Sequence, residues 1–562
     1  METNHKENAA TRYFRQLKFT MRDPILLITV GVVFIFVFMF IVFPLISILK
    51  ESMISEGGFT LSNYWGILSS RFNRHIIGNT LKLGITVAIF GTVIAFLFAY
   101  STTYLAIPHK KIFNILSIMP MISPPFVISL SVILLFGRSG LISYEVFHVR
   151  NDVYGFWGLA LTQTLSFFPI GYLMLRNLLQ NIDPSVEEAS QALGANRWKV
   201  FTTVTLPLML PGLANAMLLI FIQSLADFGN AIVIGGNYTT MAVQIYQQGI
   251  GSYDMAGATA LAVILLMISL LAYYIQNGVI GKKSYVTVTG KVAKERILID
   301  NKKVTIPAYA TCLMICIFVL SLYALVPIGA FVRLWGADYS FTMKWIIYVF
   351  TIGRKYIVDT TILALIATPI AGTLGMVSAF LIVRKAFPGR TFVEWSILMA
   401  IALPGTVIGL GYVLTYNSGP IILTGTGFIL IMALVVRSFP VGTRSGIAAL
   451  KQIDPSIEEA ATISGANSSK VFRSITLPLI KPVFFSSLLY SFIRGMTLVS
   501  TIIFLVSANW QMLTVAIMNQ VDQGLYGAAN AYCLVLILLV ATVMVIMKLL
   551  LRLFKIDING DL

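Results

Sequence analysis

Apolar runs of about 20 residues, long enough as helices to cross a hydrocarbon layer of about 30 Å, recur down the whole chain. They predict twelve spans, at about 25–49, 77–105, 112–136, 155–175, 211–234, 256–280, 309–332, 357–383, 395–416, 427–441, 482–506 and 528–551. The tenth is the least regular, because Arg437 and Pro440 interrupt it. Between the spans the polar stretches are short, and two stand out, at 182–211 and 453–482. A weak alternation at Tyr285–Thr289 is strand-like, but its setting reads better as a polar linker lying on the membrane surface.

The two polar islands are copies. Ile182-Asp183-Pro184-Ser185-Val186-Glu187-Glu188-Ala189-Ser190, Gly194-Ala195-Asn196 and Leu206-Pro207 return as Ile453-Asp454-Pro455-Ser456-Ile457-Glu458-Glu459-Ala460-Ala461, Gly465-Ala466-Asn467 and Leu477-Pro478, always 271 residues on. Ser166–Pro169 and Arg437–Pro440 keep that offset, whereas Pro124, Val127, Ile128 and Leu130 meet Pro404, Val407, Ile408 and Leu410 at 280. The chain is therefore a duplication, with nine extra residues in the first copy around 138–154. The repeat predicts a first half at 25–280, a linker at 281–306 and a second half at 307–562, after an N-terminal segment at 1–24.

Composition agrees: 57% of residues are hydrophobic and 11% charged, against about 25% charged in soluble domains. The net charge of +17 would suggest nucleic acid in a soluble protein. Here, loops assigned alternately to the two sides hold 27 Lys and Arg on one side and nine on the other. By the positive-inside rule, both termini and both islands are expected in the cytoplasm, and no nucleic acid is needed. Islands on one side require an even number of spans per repeat, hence parallel rather than inverted halves. The first apolar run is too long for a signal-peptide core and lacks a small-residue cleavage site. Cys312, Cys316 and Cys533 all lie in apolar runs, with no disulfide framework or zinc spacing.

Each island reads as a helix–glycine–helix elbow. Asp183 and Asp454 are N-caps, each followed by proline where its missing N–H is harmless. Val186, Ala189 and Leu193 share a narrow apolar face; Ile457, Ala460 and Ser464 form a weaker one, with Ala461 and Ile463 beside it. Gly194 and Gly465 end the first helix, where a positive φ suits glycine.

At this point the resemblance is specific. Glu459-Ala460-Ala461, Gly465, Ile475 and Leu477-Pro478 match the EAA loop of ABC importer permeases, and the first copy departs only at Ser190 and Val204. The resemblance implies an all-α polytopic membrane protein, with two parallel six-span repeats in the type I ABC importer permease fold. It implies a non-catalytic transport subunit in a bacterial inner membrane. Two copies of a cytoplasmic ABC ATPase subunit, which carry the ATP, and an extracytoplasmic substrate-binding protein are the expected partners besides the bilayer. On the first loop Glu188, Ala189, Gly194, Leu206 and Pro207 would couple to the ATPase. On the second, Glu459, Ala460, Ala461, Gly465, Leu477 and Pro478 would do so.

Through Ser224–Gly229, Met496–Leu505 and Tyr285–Lys291 the chain is most similar to fused permeases of the ferric-iron branch. Related branches carry phosphonates, sugar phosphates, thiamine or polyamines. A twelve-span secondary transporter is the rival of another class, though it would have no ATPase for two matched loops to dock.

The residues themselves add little chemistry. The Gly-Lys pairs Gly281-Lys282 and Gly290-Lys291 lack the first glycine and the Ser or Thr of a P-loop. His5, His75, His109 and His148 are scattered at no metal-ligand spacing. Charges inside spans usually face a bundle interior or an aqueous path, which makes Asp227, Arg437 and Arg494 candidates for lining the translocation path, with Asp227 and Arg494 able to pair across the repeat.

Overall fold

The computed structural model describes residues 23–55, 58–124, 126–150, 152–280 and 296–553. The alternation at 285–289 lies outside them, as does most of the N-terminal segment. Among the described residues, ten helices are long and apolar enough to cross a membrane, or twelve if two sharply bent pairs each count as one span. The all-α architecture expected from the apolar runs is thus the one observed. Its only sheets among the described residues are two short antiparallel hairpins, Ile54–Ser55 with Gly58–Phe59 and Val332–Leu334 with Asp338–Phe341.

The chain forms two compact units that cross the sequence halves. One holds residues 52–353 and 516–535. Its centre is the Arg71–Tyr104 helix against Phe156–Asn181 and Leu206–Leu225, and Lys302–Phe331 packs on Phe126–Phe136. The other unit holds the described residues up to 51, 354–515 and 536–553. Arg354–Arg384 packs on Gly427–Lys451 and Lys481–Thr497. The N-terminal span Pro24–Ser52 joins this second unit through Phe34 on Phe392 and Phe36 on Phe439. Tyr412 also donates to the Phe40 carbonyl at 2.8 Å, whose partner four residues on would be Pro44, which has no N–H.

Lipid supplies no hydrophobic drive between helices, so close approach of small residues matters. A Cβ on Gly171 would lie 3.1 Å from Ala95 Cβ, and one on Gly442 would lie 2.2 Å from Ser487 Oγ and 3.9 Å from Gly375 Cα. Ala95 and Gly375 are equivalent at the 280 offset, so both units close on the same pair of small positions.

Several predicted spans need correction. The run 112–136 is two helices, Lys110–Ile122 and Phe126–Phe136, and 395–416 is Arg390–Ala402 and Gly405–Tyr416, bent by 117°. Pro124 and Pro404 stand at these breaks, because proline excludes its predecessor from helical backbone. The fifth and eleventh spans start earlier and end sooner than 211–234 and 482–506, at Leu225 and Thr497. The tenth is unbroken from Gly427 to Lys451 despite Pro440, a substitution that neighbouring helices make tolerable. The first copy is longer where expected: 19 residues lie between Phe136 and Phe156, and 10 between Tyr416 and Gly427.

Candidate functional site

Both islands fold as elbows. In the first, Pro184–Ala192 is a helix whose N-cap Asp183 accepts from Ser185 N at 2.9 Å; in the second, Ser456–Ile463 follows Asp454, which accepts from Ser456 N at 2.9 Å. These bonds hold both capping carboxyls below the ordinary Asp range. Gly194 and Gly465 have φ of 89° and 88°, a region closed to most side chains. Asn196 and Asn467 then cap the short helices Arg197–Val200 and Ser468–Val471, accepting from Lys199 N and Lys470 N. Each continues through one wide turn, Phe201–Thr205 or Phe472–Thr476, into Leu206-Pro207 or Leu477-Pro478.

The expected coupling residues mostly face outward. Ala189, Gly194 and Pro207 are exposed, with Glu188 and Leu206 half-buried; Ala460, Gly465 and Pro478 are exposed, with Ala461 and Leu477 half-buried. The side chain of Glu459 lies outside the described residues. Apolar tips precede each glycine: Leu193 is 91% exposed and Ile463 is 88% exposed.

The glutamate before each EAA-type glutamate turns inward instead. Glu187 and Glu458 are buried. Glu187 accepts from Tyr104 Oη at 2.8 Å and Thr205 Oγ1 at 2.6 Å, and Arg296 Nε lies 3.5 Å away, an ion pair rather than a hydrogen bond. Glu458 accepts from Thr476 Oγ1 at 3.1 Å and Arg384 Nε at 3.2 Å. A buried carboxylate is tolerable only when so paired. Beneath the elbows lie apolar clusters, one containing Tyr104, Leu175, Leu179 and Ile182, the other Phe380, Leu450 and Ile480. Neither Arg296 nor Arg384 stood out in the sequence beyond its contribution to the charge count. The repeated Glu-Glu pair was the available signal.

Asp227 lies past the helix end at Leu225, in the turn before Gly229–Ile234, rather than within a span. It is buried, and its carboxylate accepts from Gln163 Nε2 at 2.8 Å and from Asn230 N. Arg437 donates from Nη1 to the Leu403 carbonyl at 2.6 Å, the group orphaned at the Pro404 break. Its Nε and that of Arg494 are buried without a hydrogen-bond partner. Among the described residues, no three His, Cys, Asp or Glu side chains gather where they could hold a metal ion.

The model of the binding-protein-dependent transport system inner membrane components matches this chain twice, over residues 91–283 and 371–556. That covers more than half of the chain, which therefore belongs to this family of importer permeases, with two permease domains in one polypeptide. Each match contains one elbow. The chain is 38% identical over 547 residues to the ferric transport system permease protein FbpB of Actinobacillus pleuropneumoniae, covering 95% of this chain and 79% of that one. It is also 38% identical to the putative ferric transport system permease protein FbpB 1 of Haemophilus influenzae, covering 89% and 81%. A solved chain of a bacterial alginate ABC transporter, crystallised in complex with an alginate pentasaccharide-bound periplasmic protein, matches at TM-score 0.41 and 17% identity. It covers 48% of this chain and 99% of that one.

Proposed function

We propose that this chain is the permease subunit of an ATP-driven, binding-protein-dependent importer of ferric iron. The observation that carries the cargo is near-full-length similarity to permeases named for ferric transport. Both halves of the translocation path come from one polypeptide, and a separate extracytoplasmic protein delivers the iron. The elbows face the cytoplasm, as the charge asymmetry argues, and each docks on one of two ATPase subunits that bind the ATP. Their exposed Leu193 and Ile463 are apolar side chains with a use at such an interface. Asp227, Arg437 and Arg494 border the path. The test is uptake of radiolabelled ferric iron by cells carrying the permease, its ATPase and its binding protein. Deletion of the permease should abolish uptake; unchanged iron uptake with lost growth on a phosphonate or sugar phosphate would overturn the cargo.

One observation favours a second cargo class. Arg437 and Arg494 each bury an unpartnered Nε within a span, and guanidinium is the natural partner of phosphate or carboxylate oxygens. An anionic cargo would use them.

A further inference from the structure

The two elbows are held by the same clamp, but the clamp comes from different parts of the chain. In the second elbow Arg384 Nη2 donates to the carbonyls of Leu450 and Ile453 at 2.9 and 2.8 Å, while its Nε meets Glu458. In the first, Arg296 Nη1 and Nη2 donate to the carbonyls of Leu179 and Ile182 at 2.9 and 2.8 Å, while its Nε faces Glu187. All the targets are equivalent: Leu179 and Leu450, Ile182 and Ile453, and Glu187 and Glu458 are each 271 residues apart. The carbonyls lie in the last turn of the Phe156–Asn181 and Gly427–Lys451 helices or just past it, where carbonyls run short of helical partners; only Leu450 O has another backbone donor, Ile453 N at 3.3 Å. A guanidinium there satisfies them and complements the negative helix end.

The source differs. Arg384 is the last residue of the Arg354–Arg384 helix, and its equivalent at the 280 offset is Tyr104, the last residue of Arg71–Tyr104. Tyrosine cannot reach carbonyl acceptors as a forked cation does. It gives its hydroxyl to Glu187 and lays its ring under the Arg296 guanidinium, 3.9 Å away. Arg296 itself lies in the segment that joins the two halves. A bridge pins that segment beside the helix end: Ile299 N donates to Tyr104 O at 2.8 Å, and Ala106 N donates to Ile299 O at 3.0 Å.

We infer that Arg296 is the positioning residue of the first coupling elbow, so that the connection between the halves is a working part of that elbow as well as a tether. The inference rests on the coupling reading above for its consequence in transport, but the clamp is independently measurable. Hydrogen exchange reports local opening of a segment, so it is measured on the purified permease in nanodiscs, at the amides of 184–200 and of the equivalent second elbow. ATPase capture and iron uptake are measured in parallel on the assembled importer.

R296A is expected to speed exchange of the first elbow at least tenfold and leave the second within twofold; R384A should do the reverse. R296K should not restore protection, because a lysine cannot hold two carbonyls and a carboxylate with one fixed fork. Y104R/R296A, which installs the second half's solution in the first, should restore protection to within threefold of the unaltered chain. Unchanged first-elbow exchange in R296A, equal loosening of both elbows, or failure of Y104R to rescue a monodisperse protein would each overturn the clamp. First-elbow loosening with ATPase capture and iron uptake intact would leave the clamp standing and overturn the coupling role of the elbow.

Discussion

The two elbows began as one sequence, and comparing them separates what the fold demands from what it permits. The Asp-Pro start, the inward glutamate, the glycine at positive φ, the asparagine cap and the threonine at the wide turn occur in both at one fixed offset. Around the clamp, Phe201 packs on Tyr100 and Phe472 on Phe380, again equivalent pairs. Two features have diverged. The clamping arginine differs in origin: a helix end in the second elbow, the segment between the halves in the first. The return to the membrane changed its shape: Arg197–Leu225 passes as one span, whereas Ser469–Leu479 and Lys481–Thr497 meet at 81°. Demand therefore attaches to the charge at the glutamate, and freedom to the route by which that charge arrives.

The largest effect follows from removing a glutamate. Glu187→Ala takes from the buried Arg296 the carboxylate it is paired with, and Glu458→Ala does the same to Arg384. Side chains in both pairs are only 10–12% exposed, so the loss should approach the roughly 3–5 kcal/mol of a broken buried pair. Each elbow should open separately. Iron uptake should fall at least tenfold in either variant while the protein still inserts, as read by uptake and by membrane yield. Intact uptake in one variant alone would show that the elbows are not equal in use.

How much of this was legible in the sequence differs between the elbow's backbone and its clamp. Caps and stop glycines are local, and local chemistry is what sequence shows: Asp183, Gly194, Asp454 and Gly465 sit as their residue types require. The inward glutamate was not legible, because Glu187 and Glu188 are neighbours of identical chemistry and only the rotational phase of a short helix tells them apart. Arg296 was hidden by distance along the chain, in a segment whose polarity reads as linker. Helix ends in the membrane were blurred for another reason. Apolar composition continues past Leu225 and Thr497, so the run looks unbroken where the backbone has already turned.

Backbone strain comes next in size, and here the elbows should respond alike. Nothing lies within 4 Å of a Cβ added at Gly194 or Gly465, so an alanine meets no clash and only the left-handed conformation penalises it. That penalty is about 1–2 kcal/mol. Gly194→Ala and Gly465→Ala should raise elbow exchange by similar factors, and valine, β-branched, should do worse. A twofold loss of uptake for alanine and a larger one for valine are expected. A clear inequality between the two positions would mean that a partner contacts one glycine and not the other.

Thr205→Val and Thr476→Val are milder tests of the same glutamates. Each removes one hydroxyl donor, at 2.6 Å in the first elbow and 3.1 Å in the second, and leaves the arginine in place. A hydrogen bond to a charged group contributes about 1.5–3 kcal/mol. The shorter bond should matter more. Exchange at the first elbow should therefore rise further in Thr205→Val than at the second in Thr476→Val, and the reverse order would contradict the distances.

The smallest effect concerns the caps and distinguishes the elbows by pH. Asp183 is held below its ordinary value of 3.8 by the N–H and side chain of Ser185. Asp454 is held down by the same bonds from Ser456 and, in addition, by the charge of Arg384. A carboxyl whose folded pKa is depressed contributes stability that is present above its unfolded value and is lost as pH falls through the folded value. Both elbows should therefore keep their caps at neutral pH and loosen only in acid, below about pH 4. Asp183→Asn and Asp454→Asn supply caps of similar strength that do not titrate, so acid loosening should vanish in both. R384A should move the acid transition of the second elbow upward, because one of the influences lowering Asp454 is gone. R296A should leave the transition of the first elbow where it was, since what lowers Asp183 is its bonds from Ser185. Elbow exchange referenced to the asparagine variants, taken in steps from pH 6 to pH 2.5, reads both shifts. Equal shifts in R296A and R384A would mean that the two clamps reach their caps alike, and the electrostatic difference between the elbows would be lost.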